Sequence, residues 1–174
     1  MAVRVHERFA ILLAKDSDYP APIAYYLAHE LGHIALGHLQ EGNALIDLTD
    51  PLESGEDADE EERAADRFAL ELLTGTPEPT VSTQTRHFTA EQLAQNLLAT
   101  GQKIQIEPGT LALCFGHTTG NWAKAYGAMK HIYTDSHHVW LEINRIAQRQ
   151  LHWPAVSEDM GLFIRAVIGG LGDD

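Results

Sequence analysis

Three side chains that bind metals or move protons fall within five positions: His29, Glu30 and His33, in the stretch AHELGHIALGH (28–38). The spacing is H-E-x-x-H. On a helix of 3.6 residues per turn, the two histidines lie about 40° apart on one face, one turn apart, so both imidazoles can reach a single ion. Glu30 is rotated about 100° from His29, beside that ion rather than aimed at it. These residue types suit hydrolysis. Neutral imidazoles bind Zn2+ without cancelling its charge, so a zinc-bound water becomes acidic. A neighbouring carboxylate can then carry the proton from that water to a leaving amine. Burying two histidines and a glutamate in an apolar helix is costly without a partner, which favours a metal over a helix with hydrogen-bonded histidines.

A catalytic zinc needs a third protein ligand and an open fourth position. The segment EEERAADRFALELL (60–73) offers one. Its apolar stripe is Ala65, Phe68, Ala69, Leu72 and Leu73, at helical spacing. Glu62 borders this stripe and points inward; Glu61 is the alternative ligand. Asp66, one turn beyond Glu62, can accept from the ring N–H of a liganding histidine and so orient it. His38 lies nine residues past His29. Helical rotation carried that far places it on the opposite face, where it complements the helix C-terminus instead of binding metal. A donor for the oxyanion is also required. His117, His131, Tyr133, His137 and His138 are candidates among which spacing does not choose.

Taken together, HELGH (29–33) followed by ERAADRFALELL (62–73) resembles the ImmA/IrrE family of bacterial zinc metallopeptidases. That family pairs H-E-L-G-H with E-x-x-A-[DN]-x-F-A on the next helix. The second motif reads here Glu62, Ala65, Asp66, Phe68 and Ala69. The resemblance implies a gluzincin-type endopeptidase with zinc on His29, His33 and Glu62, and Glu30 as general base. It favours Glu62 over Glu61. It also implies a regulatory protein as substrate, such as a DNA-binding repressor or an antitoxin. Beyond Leu73 the match is one of pattern only.

The frame expected around these motifs is α+β and predominantly helical. FAILLA (9–14) reads as a short buried strand, followed by a Pro/Asp-rich turn. A buried helix is expected over 23–39, ended by Gly37 and Gly42, then a loop over 40–57 with an acidic tip. A second helix runs over about 59–73. TAEQLAQNLLATG (89–101) has a Thr89 cap and a Gly101 stop, and KIQI after it reads as extended. Residues 107–132 have the rhythm of a helix-turn-helix, with the turn at Gly116 and a cap at Thr119. Further helices are expected at 136–151, capped by Ser136, and at 157–168. The implied organisation is a zincin-like core with a small N-terminal sheet (1–75), a linker (76–87) and a helical region packed on the core (88–174).

Charge and cysteine content narrow the partners. The 174 residues carry 12 Lys and Arg against 25 Asp and Glu, a formal charge of −13. Seven of the acids fall in ESGEDADEEE (53–62). The second helix of the helix-turn-helix-like pair offers Asn121, Lys124 and Lys130 but no arginine. Phosphate binding draws on clustered Lys and Arg, so a nucleic-acid partner is not expected. The single cysteine, Cys114, excludes a disulfide within the chain and fits a reducing cytosol. In LALCFG it reads as a small core residue. Neither a signal peptide nor a membrane span is visible, so a cytoplasmic location is expected. A second class of function remains: a non-catalytic, metal-stabilised regulator that binds a partner through its helical region. Glu30 separates the two, because a structural metal site has no need of a base.

Overall fold

Prolines open the helix that carries the histidines. In the computed structural model, which describes residues 1–13, 17–40, 44–45, 59–81, 87–134 and 139–168, helix α1 spans Pro20–Ala35. It starts earlier than the expected 23 because its first turn needs no amide hydrogens, so Pro20 and Pro22 are accommodated there. It also stops earlier. Gly37, at φ +78, turns the chain out of the helix. The expected features over 46–58, and the second stop at Gly42, lie outside the described residues.

Before α1 stand β1 (Ala2–Val5) and β2 (Arg8–Ile11), and after it β3 (Ala44–Leu45). They form an antiparallel sheet in the order β2-β1-β3, with Ala2 opposite both Ile11 and Leu45. The expected strand over 9–14 is therefore shorter, and it is not buried. β2 is an edge strand with Phe9 exposed, while Ala2 of the central strand is fully enclosed. Both β1 and β2 touch α1.

Helix α2 (Glu60–Thr74) is capped by Asp59, whose side chain accepts from the Glu62 amide at 2.9 Å. Three glutamates fill its first turn, where the helix dipole favours negative charge. Its buried seam is Ala65, Ala69 and Leu70. Leu72, expected in the apolar stripe, is exposed. The packing of α1 on α2 is the most extensive between any two elements. It is close because of Gly32: a Cβ there would stand 3.1 Å from the Cα and carbonyl oxygen of Ala65. We predict that Gly32→Val destabilises the fold by about 1–3 kcal/mol through overpacking, measured by urea unfolding. An unchanged midpoint would show that α2 is free to move away.

Helices α3 (Ala90–Ile104), α4 (Pro108–Thr119) and α5 (Trp122–Ile132) form a second set of mutually packed helices, and α4 also packs on α1. α3 begins with the expected Thr89, in a full capping box with Gln92. It runs past Gly101 to Ile104, so Lys103 and Ile104 are helical rather than extended. The turn between α4 and α5 is at Gly120 (φ +68), not Gly116, and Asn121 instead of Thr119 caps α5. Gly116 lies inside α4 against the Trp122 indole. Leu93, Leu97, Leu111, Phe115, Ala125 and Met129 are buried in these helices.

The chain divides into two compact units, Met1–Ser136 and His137–Asp174. In the second, α6 (Val139–Gln150) and α7 (Glu158–Ile168) are joined through a 3-10 turn at Trp153–Ala155. The Trp153 indole N–H donates to the Gln148 carbonyl at 2.9 Å, and the Arg165 guanidinium lies 3.9 Å over its ring. The expected cap at Ser136 is outside the described residues, as is part of the expected linker. No helix among the described residues is long and apolar enough to cross a membrane.

Cys114 is enclosed in α4, and burial pushes its thiol up to about 11 against the pull of a backbone hydrogen bond. The thiol is therefore protonated at neutral pH and is no nucleophile. A thiol reagent is expected to label it only on unfolding; rapid labelling of the folded chain would contradict the burial. Its raised pKa contributes stability that is complete below the free-thiol range and lost as pH rises through about 11.

Candidate metal centre

Four side chains meet where α1 crosses α2. His29 and His33 are 1 % and 0 % exposed, and their Nε2 atoms face each other at 3.0 Å. Glu62 enters from the first turn of α2. Its carboxylate oxygens stand 3.2 Å from His29 Nε2 and 3.6 Å from His33 Nε2. Glu62 is the third residue of that helix, the position from which a capping box would send the carboxylate back to the cap. Here it reaches the histidines. Among the described residues, His29, His33 and Glu62 form a group whose donor atoms all lie within 4.8 Å and could hold a metal ion. Glu61 is exposed and outside this group.

Asp66 sits behind His29. Its Oδ1 is 2.9 Å from His29 Nδ1 and accepts a hydrogen bond from the Tyr25 hydroxyl at 2.9 Å. A carboxylate only accepts, so Nδ1 of His29 carries the hydrogen and Nε2 keeps its lone pair toward Glu62. Tyr25 was not singled out from the sequence. It lies four residues before His29, on the same helical face, and that spacing was the available signal.

Glu30 is 3 % exposed. Its Oε1 pairs with the amino group of Met1, which also donates to the Leu12 carbonyl at 3.2 Å. Glu30 Oε2 is buried with no hydrogen-bond partner among the described residues. A carboxylate oxygen in that state costs free energy in a resting fold.

His38 is not where helical extrapolation puts it. The helix has ended, and Gly37 N–H donates to the Ile34 carbonyl while His38 N–H donates to the His33 carbonyl at 3.0 Å. Those two bonds are a Schellman turn. The turn returns His38 to the helix end, with its Nδ1 3.0 Å from His33 Nδ1.

The oxyanion candidates fare unevenly. His117 and His131 are exposed, and His137 and His138 lie outside the described residues. The Tyr133 hydroxyl donates to Glu107 Oε1 at 2.7 Å, and burial together with that carboxylate holds its pKa far above the usual phenol range. Glu107 is in turn the cap of α4, accepting from the amides of Gly109 and Thr110.

A family model described as Peptidase U49 matches residues 19–104. That stretch runs from the residue before α1 to the end of α3 and contains every member of the cluster. The match supports a peptidase, and hence a hydrolase. No curated protein and no solved structure matches the chain.

Proposed function

We propose that the chain is a zinc-dependent endopeptidase of the gluzincin type, akin to the ImmA/IrrE family, that cuts a regulatory protein such as a repressor or antitoxin. One observation carries this reading: the Nε2 atoms of His29 and His33 converge with the Glu62 carboxylate, and Glu30, next in sequence to His29, has a buried Oε2 with no hydrogen-bond partner among the described residues. Imidazole nitrogens with one carboxylate suit zinc and leave a position open. Donors held 2.0–2.1 Å from a tetrahedral zinc lie about 3.4 Å from one another. The separations of 3.0, 3.2 and 3.6 Å straddle that value.

When bound, zinc would supply Lewis acidity, polarising the scissile carbonyl and acidifying a water. The remaining roles fall to side chains. Asp66 fixes the tautomer and orientation of His29. Glu62 contributes one negative charge, which leaves the site net positive for a carbonyl oxygen. Glu30 Oε2 takes the proton of the attacking water as the new C–O bond forms. It delivers that proton to the amide nitrogen as the C–N bond breaks, so the amine departs neutral. The substrate class rests on the family resemblance and on the peptidase match, with the net charge of −13 arguing against nucleic acid.

The test is to incubate the zinc-loaded chain with a bacterial protein extract and map newly formed protein N-termini. A small set of new termini is expected with the wild-type chain and none with Glu30→Gln. The same termini from both proteins would sink the reading.

A further inference from the structure

We infer that His38 is a positioning residue for the metal site: it accepts the Nδ1 hydrogen of His33 and so turns the His33 Nε2 lone pair toward the metal. The inference rests on the zinc reading above and deepens it.

His38 directly follows Gly37, the left-handed residue that ends α1. In a Schellman turn, the residue after the left-handed glycine stacks back over the residue five positions earlier, and an apolar pair commonly fills that contact. Here those two residues are His38 and His33, and both are imidazoles. Their rings meet edge to face, with centroids 5.1 Å apart and planes at 71°. Their Nδ1 atoms are 3.0 Å apart, a hydrogen-bond distance, so one of the two must donate.

Which one donates decides what the cluster can bind. A neutral imidazole carries a single ring hydrogen. If His38 donates, His33 carries its hydrogen on Nε2. That hydrogen then points at His29 Nε2, 3.0 Å away, and at Glu62. The lone pair a metal needs is then covered. If His33 donates, its Nε2 is bare. His29 Nε2 is bare as well, because Asp66 holds the His29 hydrogen on Nδ1. Three lone-pair donors then face one another, an arrangement that suits a bound cation. His38 thus does for His33 what Asp66 does for His29. The two imidazoles thus have separate acceptors, Asp66 for His29 and His38 for His33. His38 itself is half-buried.

The experiment measures zinc affinity by competition with a chromogenic chelator, and the visible spectrum of the Co2+-loaded chain, for wild type, His38→Leu and His38→Asn. Leucine removes the acceptor; asparagine restores one near the Nδ1 position. Loss of such outer partners typically costs 10–100-fold in affinity. The expected result is weakening of about that size in His38→Leu, with a shifted Co2+ spectrum, and recovery of most of the loss in His38→Asn. Thermal unfolding of the metal-free chains separates site disorder from global unfolding. Nitrogen-15 spectra of the wild-type imidazoles need no variant: His33 is expected to carry its hydrogen on Nδ1. A leucine variant that matches a zinc-binding wild type would overturn this inference alone, as would an Nε2 hydrogen on His33. A wild-type chain that takes up no zinc would overturn the metal reading and this inference with it.

Discussion

Glu62→Gln is expected to weaken zinc binding by more than about 100-fold. Residues that merely orient a ligand cost 10–100-fold when lost, and a direct ligand exceeds that range. The amide keeps the size and one carbonyl oxygen, so packing on α1 is preserved, but the negative charge that balances the ion is gone. The buried pair of imidazoles cannot replace it. The same variant should lose the stabilisation that free zinc confers on the folded chain. For a zinc-binding wild type that gain is expected to be about 2.7 kcal/mol at a hundredfold excess over Kd, read as a zinc-dependent melting temperature. Chelator competition and thermal melts therefore read one property in two ways. An unchanged affinity would place the third ligand elsewhere, with exposed Glu61 the next residue to test.

Glu30→Gln is expected to do the converse, leaving zinc affinity within a few fold of wild type while peptide hydrolysis falls by about 10²–10⁴. Glutamine fills the same buried space but accepts no proton at neutral pH. Because the proton moves only during the reaction, kcat should carry the loss and KM should change little. The comparison is informative because the two glutamates have different surroundings. Glu62 faces imidazoles, whereas Glu30 Oε2 faces no hydrogen-bond partner among the described residues. A variant that hydrolyses at the wild-type rate would leave Glu30 a structural residue, tied to the amino group of Met1.

Much of this centre was readable from spacing because it lies on two helices. The interval from His29 to His33 is one helical turn, and so is that from Glu62 to Asp66. Rotation per residue therefore predicts which side chains share a face. Rotation per residue stops being a guide where the helix ends. Counting 100° steps through Gly37 puts His38 on the far face, yet that glycine ends the helix and returns the chain to His33. The glycine is legible as a stop; the direction in which its turn sends the next side chain is not. Gly116 misled in the other sense, because it serves close packing against Trp122 inside α4, while the turn falls at Gly120. Leu72 and Phe9 show a third cause. Residue type alone does not say which apolar side chain a neighbour will cover, and both are exposed. What brings the two motifs together is a tertiary fact: the close approach of Gly32 to Ala65, which places α2 where Glu62 can reach the histidines.

The most direct measurement is X-ray absorption at the zinc edge on the full chain carrying one equivalent of zinc. The account predicts a four-coordinate site with two imidazole nitrogens at about 2.0–2.1 Å, the remainder oxygen and no sulfur. A shell of oxygens without the imidazole scattering signature, or a sulfur neighbour at about 2.3 Å, would contradict it.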